Sequence, residues 1–119
     1  MANILALDDV LEAGILIKKI LEKEGHRVSV FDEEEDAIRY SKTSNPDIAI
    51  LDIKLIKMTG FEVLEEIKKN RPFIKTIMLT GLPGIDSARK ASALGADSYC
   101  SKPMDKNELV KKVRELLKS

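Results

Sequence analysis

The stretch that most constrains this chain is Ile48-Ala49-Ile50-Leu51, followed directly by Asp52. Four apolar residues in a row, led in by the turn signal Asn45-Pro46-Asp47, have the pattern of a strand covered on both faces, as parallel sheets in α/β proteins require. The residue after such a strand stands at its carboxyl end, which is where open α/β sheets bind ligands. Asp52 is thus placed for chemistry. Asp is also common at strand exits for a plainer reason, as the cap of a turn or of the next helix. Three other strand ends decide between the two readings.

Ile4 to Leu7 is a short apolar run ending in Asp8-Asp9, and Val10, Ala13, Gly14, Ile17, Ile20 and Leu21 then recur at helical spacing until Gly25 stops the helix. Arg27 to Phe31 alternates like a strand nearer a sheet edge. Asp32, with Glu35 three residues on, is expected to cap a helix carrying Ala37, Ile38 and Tyr40, which ends before Asn45-Pro46. After Asp52 comes a loop from Ile53 to Thr59. Gly60 opens a helix with the apolar face Phe61, Val63, Leu64 and Ile67, closed by Asn70-Arg71-Pro72. Lys75 to Leu79 is the fourth strand and delivers Thr80. Ile85 to Leu94 is a short helix with Gly95 past its end, and a brief fifth strand, Ala96 to Cys100, leads to Ser101-Lys102-Pro103. Asp105 caps a last helix with Leu109, Val113, Leu116 and Leu117 on one face. Strict alternation of strand and helix with right-handed crossovers predicts an α/β doubly wound five-stranded parallel sheet, (βα)5 flavodoxin-like, in the order 2-1-3-4-5.

In that order Asp8-Asp9, Asp52, Thr80 and Lys102 reach one rim. Carboxylates a few Å apart repel by several kcal/mol at an effective dielectric of ~20, so the cluster calls for a cation. An all-oxygen, carboxylate-rich site suits Mg²⁺, which leaves a position for a phosphate oxygen. A carboxylate beside Mg²⁺ can attack phosphorus and form an aspartyl phosphate, and Lys102 and the Thr80 hydroxyl would compensate charge on the phosphoryl oxygens. Singly, each residue has a structural explanation: a turn, a strand residue, a solvated lysine. Their joint arrival at successive strand ends favours the functional one.

Composition narrows the partners. Lys plus Arg total 20 and Asp plus Glu total 20, so no global field draws the chain to nucleic acid or to an anionic membrane. The lone Cys100 excludes an intrachain disulfide and a multi-cysteine metal site. Met1-Ala2-Asn3 runs into the first strand without a signal-peptide pattern, so a cytoplasmic location is expected. Ser119 follows closely on the last helix, and the expectation is one domain, residues 1–119, with no output domain.

Taken together, Ile4-Leu5-Ala6-Leu7-Asp8-Asp9, Asp47-Ile48-Ala49-Ile50-Leu51-Asp52, Met58-Thr59-Gly60-Phe61-Glu62, Thr80-Gly81, Gly95-Ala96-Asp97-Ser98-Tyr99 and Lys102-Pro103 resemble a receiver domain of the bacterial two-component response regulators, the CheY-like family. The resemblance covers the whole chain. It implies that Asp52 is the phosphoacceptor, Asp9 a direct Mg²⁺ ligand, Asp8 a ligand through water, and the Lys54 carbonyl another ligand. It further implies that Lys102 is the phosphoryl partner, with a cis bond to Pro103, and that Thr80 and Tyr99 form a switch pair. Two departures stand out: Ile56 where the family often has proline, and Gly81 after Thr80.

The resemblance implies a phosphorylation-dependent signalling switch. A histidine kinase or phosphotransfer histidine would phosphorylate Asp52, and output would be altered binding of a downstream protein. Such a protein catalyses only its own phosphorylation and slow self-dephosphorylation; Lys54 and Leu82, which offer no acceptor to orient an attacking water, fit a slow loss. The exposed apolar residues expected on the first helix, Leu11, Ile15 and Leu16, with Met104 across the rim, would dock the kinase helices. One alternative is an Mg²⁺-dependent aspartate-nucleophile phosphatase. Such enzymes want a second acid two residues after the nucleophile, where this chain has Lys54. The other is an unphosphorylated interaction module, against which the intact Asp8, Asp9, Asp52, Thr80 and Lys102 argue. His26 is expected at the surface and Cys100 in the packing.

Overall fold

The computed structural model describes residues 1–53, 59–81, 85–102 and 105–118, and of residues 85–88 the backbone alone. Strands β1 (Asn3–Leu7), β2 (Arg27–Phe31), β3 (Ile48–Asp52), β4 (Lys75–Thr80) and β5 (Ser98–Ser101) alternate with helices α1 (Leu11–Glu22), α2 (Glu34–Thr43), α3 (Gly60–Asn70), α4 (Ile85–Ala93) and α5 (Lys106–Lys118). The strands form one parallel sheet in the order β2-β1-β3-β4-β5, as expected.

Strand periodicity divides the core in two. Ile4, Ala6, Ile48, Ile50, Ile77 and Leu79 meet Ile17 and Leu21 of α1 and Leu109 and Val113 of α5. On the other face Leu5, Leu7, Ala49, Leu51 and Met78 meet Ala37 of α2, Val63, Leu64 and Ile67 of α3, and Ala91 of α4. Every residue of β3 is buried, which is why its sequence is apolar without alternation. The helix stops read at Gly25 and Gly95 are real: they stand at φ +90° and +98°, where a side chain would strain the backbone.

Four expectations shift. Asp32 does not cap α2. The N-cap is Glu33, in extended backbone and without a side-chain cap bond, so the Asp32–Glu35 frame falls one residue short of the helix start. Val10 is the N-cap of α1 and 53% exposed, not part of the core stripe. Leu117 is 41% exposed, because at about 100° per residue it stands roughly 80° round the helix from Leu109, whereas Val113 and Leu116 stay within about 40° of it. β5 begins and ends later than expected; the Asp97 carboxylate accepts from the Thr76 amide at 2.9 Å just before it.

Asp105 caps α5 as expected, its carboxylate accepting from the Asn107 amide at 2.8 Å. α3 carries a capping box: the Thr59 hydroxyl accepts from the Glu62 amide, and the Glu62 carboxylate accepts from the Thr59 amide. Arg71, past the end of α3, donates to the carbonyls of Ser41, Lys42 and Ser44, and so holds the end of α2 against α3.

Candidate functional site

Parallel register brings the site residues to one edge. Leu7 pairs with Leu51 across β1 and β3, so Asp8 and Asp52, one residue on, stand side by side. Asp52 pairs with Leu79, and Thr80 pairs with Ser101, so Thr80 and Lys102 follow on the same rim. The Lys102 amide donates to the Thr80 carbonyl at 2.6 Å. Behind Asp52, the Ile53 amide continues the ladder to the Leu79 carbonyl at 2.9 Å, and the Gly60 amide closes back on the Ile53 carbonyl at 2.7 Å.

Asp8, Asp9 and Asp52 each offer a carboxylate oxygen within 4.8 Å of the other two. Asp8 and Asp52 are buried and Asp9 is half-buried. The Lys102 ammonium bridges the two buried carboxylates, at 2.7 Å from Asp8 Oδ2 and 3.0 Å from Asp52 Oδ2. The other oxygen of Asp8 accepts from the Val10 amide at 2.9 Å, which fixes the carboxylate plane. Burial works against the Lys102 ammonium, and the hydrogen bonds and charges of Asp8 and Asp52 more than offset it, so its pKa lies above the ordinary lysine value. Lys102 is therefore a cation throughout the neutral range.

Of the two residues expected to form a switch pair, Thr80 is buried at the end of β4. Tyr99 is half-buried, pairs in register with Met78, and packs on the cluster under α3 and α4. Its hydroxyl is buried without a hydrogen-bond partner among the described residues. The Tyr99 carbonyl accepts from Lys112 of α5, which also pairs with Glu108 at 3.1 Å. The tie to Tyr99 was not anticipated; the four-residue spacing of Glu108 and Lys112 signals only their own ion pair. The Lys54 carbonyl, Ile56, Met58, Leu82, Pro103 and its peptide bond, and Met104 lie outside the described residues.

Three carboxylates, an ammonium and a hydroxyl thus meet at the carboxyl edge of the parallel sheet, and the three carboxylates are close enough together to hold a metal ion. No helix among the described residues is long and apolar enough to cross a membrane. The model of the response regulator receiver domain matches residues 4–114. The heme response regulator HssR of Staphylococcus saprophyticus is 32% identical over 118 residues, covering 99% of this chain and 52% of that protein. The cell cycle response regulator CtrA of Brucella ovis is 29% identical over 116 residues, covering 98% of this chain and 50% of that protein. The chain thus spans about half the length of these curated relatives. A CheY-like response regulator receiver domain protein from Methanospirillum hungatei superposes with a TM-score of 0.94 at 33% identity, over 99% of this chain and 94% of that one. By sequence match, fold and acidic rim alike, the chain belongs to the receiver domains of response regulators, the phosphoacceptor switch family of two-component signalling.

Proposed function

We propose that this chain is a switch set by phosphorylation of Asp52, with a histidine kinase or phosphotransfer histidine in the cytoplasm as donor and a downstream protein as reader. The observation that carries this reading is the Lys102 ammonium held between Asp8 and Asp52 at the edge of the sheet. A bridging cation there answers the repulsion of buried carboxylates, and it stands where charge on an incoming phosphoryl group would need a partner.

The donor set is all oxygen and its members are close together, which fits Mg²⁺. Asp8, Asp9 and Asp52 would hold the ion, with the Lys54 carbonyl as a further donor. When bound, Mg²⁺ neutralises the carboxylates and the phosphoryl oxygens together. Asp52 is the nucleophile: a carboxylate oxygen forms the O–P bond as the N–P bond to the donor histidine breaks, and the imidazole leaves with the bonding pair. Asp8, its plane fixed by the Val10 amide, keeps its charge aimed at the rim. Lys102 exchanges its contact with Asp52 for one with a phosphoryl oxygen. The Thr80 hydroxyl then turns to the phosphoryl group and the Tyr99 ring settles behind it. The Tyr99 hydroxyl, without a partner among the described residues, supports this, since a buried polar group left unbonded costs about 1–3 kcal/mol and marks a side chain with another position to take.

Incubation with acetyl phosphate and Mg²⁺, followed by intact-protein mass spectrometry, should add one acid-labile phosphoryl group to the parent and none to Asp52→Asn. Label on the Asn variant would place the acceptor elsewhere.

A further inference from the structure

Away from the acidic rim, the outer face between α1 and α5 carries two adjoining grooves, of about 620 and about 320 Å³. Both helices run from the rim to the opposite end of the sheet, so the groove between them runs the same way. Its apolar floor includes Leu16 and Ile20 of α1 and Val110 of α5, with Leu16 52% exposed. Its rim is basic: Lys19, Lys23, Lys106, Lys111, Arg114 and Lys118, against the carboxylates of Glu24 and Glu115. Those two are already taken, since Arg114 pairs with Glu24 and Lys111 stands 4.0 Å from Glu115. Lys19, Lys23, Lys106 and Lys118 remain without an ion pair among the described residues, on a chain whose formal net charge is zero. The charge is therefore concentrated on this seam and balanced by acidic surface elsewhere.

We infer that the α1–α5 groove is a second docking surface, which receives an acidic amphipathic helix of a partner protein. An apolar floor between parallel helices suits the apolar stripe of a helix, spaced at i, i+3, i+4 and i+7, and the flanking lysines suit carboxylates on its two edges. A phosphate polymer would use the lysines but not the floor, and the neutral chain supplies no wider field to hold one. The near end of the groove, at Leu16 and Lys106, adjoins the surface expected to dock the phosphodonor, and its far end, at Lys23 and Lys118, lies away from it. Lys23 stands about 18 Å along α1 from Leu11, at 1.5 Å per residue, so an occupant of the far half of the groove leaves the Asp52 rim open.

The test is a nuclear magnetic resonance titration of the full chain. The probe is a synthetic helical peptide with leucine on one face and glutamate elsewhere, and the control is its counterpart with lysine for glutamate. Amide shifts should gather at Leu16–Lys23 and Lys106–Lys118. The lysine peptide should bind at least roughly tenfold more weakly, and so should the acidic peptide to Lys23→Glu and Lys118→Glu variants shown to be folded by circular dichroism. Acetyl phosphate labelling of Asp52 should be unchanged by the peptide, and Asp52→Asn should bind it as the parent does. Equal binding of both peptides, or shifts elsewhere, would overturn the proposal. So would tighter binding of a DNA duplex or of phosphatidylglycerol vesicles, or a sedimentation shift without peptide, which would assign the groove to a second copy of the chain.

Discussion

Gly60 stands directly against the backbone of Asp52: a Cβ placed on it would lie 2.2 Å from the Asp52 carbonyl oxygen and 2.7 Å from the Ile53 Cα. The first turn of α3 is thereby wedged under the end of β3, and the position of Asp52 depends on the absence of one methyl group.

Gly60→Ala must therefore push α3 and β3 apart. The expected outcome is a loss of about 1–3 kcal/mol in urea unfolding, as for overpacked sites, with slower acetyl phosphate labelling because Asp52 is displaced. A variant with the parent's stability and labelling rate would show that the wedge has room to give.

Lys102→Ala removes the ammonium from two buried carboxylates. The variant should fold with about 1–3 kcal/mol less stability, from buried acceptors left without their donor. Added Mg²⁺ should raise its thermal midpoint more than it raises the parent's, since in the variant the ion alone relieves the repulsion. A smaller Mg²⁺ effect in the variant would contradict the cation role given to this cluster.

His26 is half-buried, and its Nδ1 accepts from the Ala2 amide at 3.1 Å, which only the neutral imidazole can do. Burial and the positive amino terminus lower its pKa, against a smaller opposite pull from Glu24. A lowered histidine pKa means that the unfolded state binds the proton first, so stability is held above the ordinary histidine value and falls as pH drops through it. Unfolding from about pH 7.5 to about pH 5.5 should show this fall, of the order of one hydrogen bond or ~1 kcal/mol, and His26→Gln should flatten it. An identical slope in the Gln variant would assign the effect to other groups.

Leu11 and Ile15 are 46% and 38% exposed on the first turns of α1, beside the rim. If they dock the phosphodonor, Leu11→Lys and Ile15→Lys should slow transfer from a histidine kinase roughly tenfold while leaving acetyl phosphate labelling intact. Equal loss from both donors would indicate damage to the fold.

Much of this architecture can be read from the amino acids. The apolar Ile48–Leu51 run, the glycine stops at 25 and 95 and the Asp105 cap all act locally, so sequence carries them directly. The S/T-x-x-E pattern at Thr59–Glu62 was equally visible and marks the α3 box. The Asp32 cap misled because a capping motif carries no ruler finer than a residue, and Asp32-Glu33-Glu34-Glu35 offers several frames. Contacts between distant segments were not readable: Lys102 bridging Asp8 and Asp52, Arg71 closing α2, and Lys112 on the Tyr99 carbonyl each depend on the sheet order and the crossing of helices. Alternation announced which residues share a rim; only the fold shows which of them touch.

Lys102 lies 94 residues from Asp8 and 50 from Asp52, yet it joins them. A ribosome makes Asp8 first, Asp52 midway and Lys102 near the end of this stretch, and of the five strands β5 is made last. A site assembled in this way cannot exist in a nascent or truncated chain. Charging Asp52 with phosphate would then itself report that β1, β3 and β5 have come together in one sheet.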